Sequence, residues 1–198
     1  MEFVYQIDNH LPKDICEKMI EKYKNDPNKI KSKVGDNPTL PGSLNEGVRK
    51  STTLNISDGG EWSEIDKYLE NNLKEGLEKY KKYISDLVTC NVVQEVFDAV
   101  TMDSGYSIQE MKKDDFYTWH VDDFLKTNSD KRIITVMWYL NTLEEDDGGH
   151  TEFWMKNRIR PKQGTILFFP SGWSYIHRGG IVKNDVTKYT CITWLINK

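Results

Sequence analysis

The chain of 198 residues is 37% hydrophobic and 29% charged, with a formal net charge of −4, which describes one globular domain able to bury its own core and excludes a second domain of ordinary size. Its lysines and arginines are spread along the chain, so no basic stripe offers a footprint to nucleic acid. Cys16, Cys90 and Cys191 form neither a C-x-x-C pair nor a disulfide framework, and neither a leader segment nor a run of about 18 apolar residues is found, so a cytoplasmic chain starting at Met1 with no membrane span is expected.

Pro12 suits a first helical turn, and Ile15, Met19 and Tyr23 then recur at steps of four, which predicts an amphipathic helix ending near Asp26-Pro27. Residues 29 to 47 collect Gly, Pro, Asn, Ser and Lys without periodicity and read as a mobile loop. Steps of three and four through Trp62, Ile65, Leu69, Leu73, Leu77, Tyr80 and Ile84 predict a long helix with one buried stripe. Near residue 100 the composition turns aromatic and β-branched. Strands are predicted at Tyr106–Met111, Phe116–Asp122, Arg132–Asn141, Thr151–Met155, Thr165–Phe169, Trp173–His177 and Tyr189–Leu195, parted by turn clusters, a pattern that suggests a sandwich or barrel.

In the stretch Tyr117-Thr118-Trp119-His120-Val121-Asp122, His120 and Asp122 stand at i and i+2 of a predicted strand and therefore project to one face. With His177, at the end of another predicted strand, they would form the two-histidine, one-carboxylate facial set of non-haem Fe(II) oxygenases. Taken alone, an H-x-D pair reads more readily as a core histidine beside a turn aspartate. The context adds Lys188, which by strand parity shares a face with Thr190, Ile192 and Trp194. An inward ammonium is costly without an anion. A ligand carboxylate would supply one; the alternative is a lysine that snorkels at a strand end.

These residues carry a family resemblance: Tyr117-x-x-His120-x-Asp122, then Met137-Trp138-Tyr139-Leu140-Asn141, then Gly148-Gly149-His150-Thr151-x-Phe153, then His177, Lys188 and Trp194. The chain resembles a 2-oxoglutarate- and Fe(II)-dependent dioxygenase of the prolyl 4-hydroxylase-like group, and Val4 to Pro12 resemble that group's strand-to-helix entry. The resemblance implies an α+β fold, a double-stranded β-helix (jelly roll) with N-terminal supporting helices, as a single domain over 1–198: mainly helical support in 1–99 and a metal-binding core in 100–198. It implies that His120, Asp122 and His177 hold Fe(II), and that Lys188, helped by Tyr139 and Thr190, binds the distal carboxylate of the cosubstrate 2-oxoglutarate. Lysine rather than arginine at this place leans the match toward the collagen-type enzymes. One departure is that Met111 and Lys112-Lys113-Asp114-Asp115 stand where the group has a tyrosine and a glycine, so one hydroxyl contact to the cosubstrate is missing. The implied reaction is hydroxylation by dioxygen with decarboxylation of 2-oxoglutarate to succinate, with ascorbate as reductant.

His150 is expected at the rim rather than on the metal, and His10 near a helix cap at the surface. Trp119, Trp138, Trp154 and Trp173 are read as core or interface, whereas Tyr117 and Trp194 are expected to flank a substrate. That substrate is expected to be a peptidyl prolyl residue of a peptide or protein, under lids formed by residues 29 to 50 and 123 to 131. The alternatives are a free amino acid or other small molecule and, from another class, a non-catalytic metal-binding β-barrel.

Overall fold

Apolar alternation in the second half of the chain builds two facing antiparallel sheets, to which short strands of the first half add edges. The computed structural model describes residues 2–35, 42–57, 59–88, 90–100, 102–123 and 131–197. Its first half runs β1 (Tyr5–Ile7), α1 (Lys13–Asn25), β2 (Ile30–Lys31), β3 (Arg49–Lys50), β4 (Thr52–Asn55), α2 (Ser63–Leu87) and α3 (Asn91–Asp98). The second half runs β5 (Met102–Asp103), β6 (Ser107–Met111), β7 (Phe116–His120), β8 (Lys131–Tyr139), β9 (Thr151–Phe153) and β10 (Arg158–Ile159), followed by β11 (Ile166–Pro170), β12 (His177–Gly179) and β13 (Lys188–Asn197). The larger sheet has the order β1-β11-β8-β13-β6-β4-β2, with β5 also on β13, and the smaller one β10-β9-β12-β7-β3. This is the double-stranded β-helix in an α+β chain, with the helices packed on one face of the larger sheet.

The period of two along the long strands sorts side chains between two cores. Ile134, Val136 and Trp138 of β8, with Ile166 and Phe168 of β11, meet Met19 and Tyr23 of α1 and Leu69, Leu73 and Tyr80 of α2. Their neighbours Met137, Tyr139, Leu167 and Phe169 point the other way and pack with Phe153 and Ile159 between the sheets. Full burial of such side chains contributes about 1.5–3 kcal/mol each. The double glycine has a steric cause: at Gly148, with φ +71°, a Cβ would fall 2.2 Å from the Ile181 carbonyl oxygen.

The two long helices lie close to where periodicity puts them, with Pro12 as the residue before α1. Several expectations need correction. Trp173–His177 is not a strand: Trp173–Tyr175 is a 3-10 turn, and His177 opens β12 instead of closing a strand. Its aromatic run lacks inward-outward alternation, and Trp173 is 70% exposed. β7 stops at His120, so Asp122 lies beyond the strand. Helix α3 and strands β5 and β10 were not anticipated, being eight residues or two. Within the loop read at 29 to 47, β2 pairs β4 and Val34 bridges Ser43. The proposed lids, 29 to 50 and 123 to 131, fall partly outside the described residues. Among the described residues no helix is long and apolar enough to cross a membrane.

One buried polar residue ties the helical layer to the sheet. Asn72 of α2 accepts a hydrogen bond from the Trp138 indole N–H (2.8 Å) and donates to the His10 carbonyl (3.0 Å), and its own carbonyl lies 2.8 Å from His10 Nε2. His10 is therefore held by α2 through its ring and its backbone rather than standing free at the surface. Asn72→Leu should strand the buried indole N–H and lower stability by about 2–3 kcal/mol, read as a lower urea midpoint at unchanged slope. The control is Asn71→Leu, on the exposed side of the same helix, which should stay within about 0.5 kcal/mol.

Candidate active site

Pairing of β7 with β12 sets His120 directly opposite His177. Between this pair and the next, Tyr117 opposite Gly179, β7 spends one residue more than β12, which is a bulge. The bulge turns Tyr117 onto the side of His120, which strict alternation would deny it, and the two rings stack with centroids 3.6 Å apart.

Asp122 reaches the histidines from the bend after β7. The Thr135 hydroxyl of β8 donates to its Oδ2 (2.7 Å) and also lies 2.9 Å from Ser171 Oγ. Arg132 donates to the Asp122 carbonyl (3.2 Å), and the Asp123 amide donates to the Ser171 carbonyl (3.1 Å). The bend is thus pinned from two neighbouring strands. Asp122 Oδ1 stands 3.6 Å from His120 Nε2, and Oδ2 stands 3.5 Å from His177 Nε2. These gaps are long for hydrogen bonds and suit atoms that share an ion at about 2.1 Å.

The tautomers follow from the partners. His120 Nδ1 is 2.8 Å from the Thr118 carbonyl and His177 Nδ1 is 2.9 Å from the Tyr175 carbonyl. A carbonyl only accepts, so each Nδ1 carries a proton and each Nε2 is turned toward Asp122. Burial pushes His177 down to about 4, against the opposing pull of Asp122, so its imidazole is neutral near pH 7. Burial by itself would raise the Asp122 carboxyl, but His177, His120 and the Thr135 hydroxyl outweigh it and hold it well below the usual carboxylate range. One candidate ligand atom from each of the three residues lies within 4.8 Å of the others. Two imidazoles and a carboxylate, each oriented by a second partner, are the donor set that fits Fe(II).

Lys188, the first residue of β13, is 3% exposed and lines the same cleft of about 440 Å³, together with Thr190, Thr151, Gln109 and Met111. No carboxylate pairs with Lys188 among the described residues, and burial lowers its ammonium to about 8. The ring of Tyr139 lies 5.6 Å from Lys188 Nζ, while its hydroxyl is committed to Thr151 Oγ1 at 2.7 Å. Met111, at the place of the missing tyrosine, stands opposite Lys188 in the β6–β13 register. Trp194 also faces the cleft; Arg132 lies 3.7 Å from its ring, and its buried Nε1 has no hydrogen-bond partner among the described residues.

Other expectations fare differently. His150 is buried rather than at the rim, between Glu145 (3.2 Å from Nε2) and Arg158 (2.9 Å from Nδ1), and takes no part in the metal set. Trp138 is core, but Trp154 and Trp173 are 66% and 70% exposed, and Trp119 packs edge-on against Trp154. Thr135 and Ser171 were missed. Strand parity with Met137 and Tyr139 was enough to turn Thr135 inward, but nothing in the sequence linked it to Asp122.

Residues 106–196 match the 2OG-Fe(II) oxygenase superfamily. Comparison with curated protein sequences gives no match. Among solved structures, the chain is similar to a viral collagen prolyl hydroxylase of Paramecium bursaria Chlorella virus-1 in complex with 2-oxoglutarate (TM-score 0.67, 19% identity, 99% of this chain and 96% of that one). It is also similar to a Pseudomonas putida prolyl-4-hydroxylase (0.70, 16%, 100% and 94%). A third is a Trichoplax adhaerens prolyl hydroxylase bound to a peptide of the hypoxia inducible factor oxygen degradation domain (0.77, 15%, 100% and 84%).

Calorimetric titration with Mn(II), an oxygen-inert stand-in, should show one site that His177→Ala abolishes. Thr135→Val, which leaves all three ligands in place, should weaken it by about 10- to 100-fold through loss of the bond that orients Asp122.

Proposed function

From a chain whose residues 106–196 are a 2OG-Fe(II) oxygenase domain, we propose a hydroxylase of a peptidyl prolyl residue, with His120, Asp122 and His177 as the iron ligands. What carries the reading is one cleft lined both by the His120–Asp122–His177 set and by the buried Lys188 ammonium, which has no carboxylate partner among the described residues. Bound Fe(II), with 2-oxoglutarate and dioxygen, supplies the oxidising power: 2-oxoglutarate is decarboxylated to succinate and one oxygen atom enters a C–H bond.

The chain's own residues bind, orient and exclude water. Lys188 would take the distal carboxylate of 2-oxoglutarate, with the Thr190 hydroxyl lining the pocket beside it and the Tyr139 ring beneath. The hydroxyl of Tyr139 steadies Thr151 instead of reaching into the cleft. Tyr117, stacked on His120, and Trp194, with an indole N–H left for an acceptor, would flank the substrate ring. The prolyl assignment is supported by three similar solved structures, all named as prolyl hydroxylases. Free Cys16, Cys90 and Cys191 support a reducing compartment, and on that ground we place the protein in the cytoplasm.

Incubation with Fe(II), ascorbate, 2-oxoglutarate and proline-rich peptides should add one oxygen atom to proline for each succinate formed, read by mass spectrometry. Free amino acids gaining that oxygen while peptides do not would shift the reading to a small-molecule hydroxylase.

Lys188→Ala should weaken 2-oxoglutarate binding to the Mn(II)-loaded protein by about two to three orders of magnitude. With no anion beside it among the described residues, burial brings the ammonium down to about 8 from its ordinary 10.5, so its charge costs stability below that pH, and the cost is relieved as pH rises from about 8 toward 10.5. Pairing with a carboxylate raises that pKa. Affinity for 2-oxoglutarate should therefore be level below about pH 8 and fall by up to tenfold per unit above it, in an anaerobic titration. Lys188→Arg, charged throughout, should lose that dependence.

A further inference from the structure

Arg49 is a feature of the cleft that neither the metal set nor the cosubstrate explains. It stands on β3, at the edge of the smaller sheet, opposite Tyr117 in register. Its guanidinium lies 4.8 Å from the Tyr117 ring, which in turn stacks on His120. Nε donates to Ser51 Oγ (3.0 Å) and Nη1 to the Lys33 carbonyl (3.4 Å), which leaves Nη2 without an acceptor among the described residues. No carboxylate there forms an ion pair with it. Burial lowers its pKa, yet an arginine side chain stays charged and must carry the cost of lost hydration.

The surroundings sharpen the question. In a chain of net charge −4, the cleft is lined by Lys33, Arg49, Arg132, Arg178 and Lys188, with Asp122 as its one carboxylate among the described residues. Arg178 is neutralised by Glu152 at 2.8 Å. Arg132 is engaged by the Asp122 carbonyl and the Trp194 ring. Fe(II), the Asp122 carboxylate, dianionic 2-oxoglutarate and the Lys188 ammonium together sum to neutrality. The charge of Arg49 is surplus to the cosubstrate and sits beside Tyr117, where the substrate would lie.

We propose that Arg49 recognises a carboxylate on the substrate, from an acidic side chain near the target proline or from a chain terminus, and so selects anionic substrates. This rests on the hydroxylase reading above. A guanidinium fork matches a carboxylate in geometry as well as charge, and a charge-assisted bond out of bulk water discriminates strongly against an amide of the same shape.

The test uses wild type, Arg49→Lys and Arg49→Glu, each supplied with Fe(II), ascorbate and 2-oxoglutarate. Two libraries of short peptides with one central proline and random flanks are offered, one amidated at the C-terminus and one with a free carboxylate, and oxidised products are sequenced by mass spectrometry. Wild-type products of the amidated library should be rich in Asp and Glu near the oxidised proline; oxidation that instead requires the free terminus assigns the terminal carboxylate. Arg49→Lys should keep the acidic bias and Arg49→Glu should turn it toward Lys and Arg, a readout independent of overall rate. Between one peptide and its Glu→Gln twin, wild-type kcat/KM should favour the acid by about 10- to 100-fold, less at high salt. Oxidised prolines with neither an acidic bias nor a need for the free terminus, or a bias unchanged in Arg49→Glu, overturn the assignment and leave prolyl hydroxylation standing. No oxidised proline in either library overturns the prolyl reading, and this inference with it.

Discussion

The antiparallel pairing of β7 with β12 is the constraint on which the site depends. It sets His120 opposite His177 and, through its bulge, brings Tyr117 to the same side. Strands β9 and β3 flank this pair and fix its position. The larger sheet contributes from across the sandwich: Thr135 orients Asp122, and β13 presents Lys188 and Thr190. Among the described residues, the helices make no hydrogen bond or ion pair to these groups. Their part is to bury the outer face of the larger sheet, so that its inner face is held rigidly enough to aim side chains.

Electrostatics separates the cleft into parts with different work. At the metal end, the neutral His177 imidazole and the depressed Asp122 carboxylate stand ready for a cation, with His120 opposite His177. In the same cleft, Lys188 is a buried ammonium whose only attraction among the described residues is the weak one of the Tyr139 ring. A polar group held at such cost marks a binding function more reliably than an exposed one does. Lining the same cleft, Tyr117 and Trp194 offer aromatic surface, each with an arginine against its ring. Cations over aromatic faces keep their charge while losing water, which makes them selective toward anions.

The buried polar contacts around Asp122 and Asn72 serve order as well as stability. Each satisfies groups that would otherwise be stranded, and each fixes one layer against the next: Asn72 the helices to the larger sheet, Thr135 the larger sheet to the metal end. His150, with Glu145 and Arg158, does the same at the turn before β9.

Much was legible in the residues alone. Helical periods of three and four placed α1 and α2, alternation placed β6, β8, β11 and β13, and the parity of Lys188, Thr190, Ile192 and Trp194 put them on one face of the cleft. Local steric rules and side-chain period decide such features, and both act within a few residues of chain. Short elements escaped, because α3, β5 and β10 are too brief for a period to show. The sites of Thr135 behind Asp122, Arg49 beside Tyr117 and Asn72 under Trp138 were decided by the tertiary structure, since each joins residues from 13 to 68 apart that no local pattern relates. The bulge in β7 belongs with them. Whether a strand spends an extra residue depends on what its partner offers opposite, and β12, which fixes Tyr117 beside His120, lies more than fifty residues further along the chain.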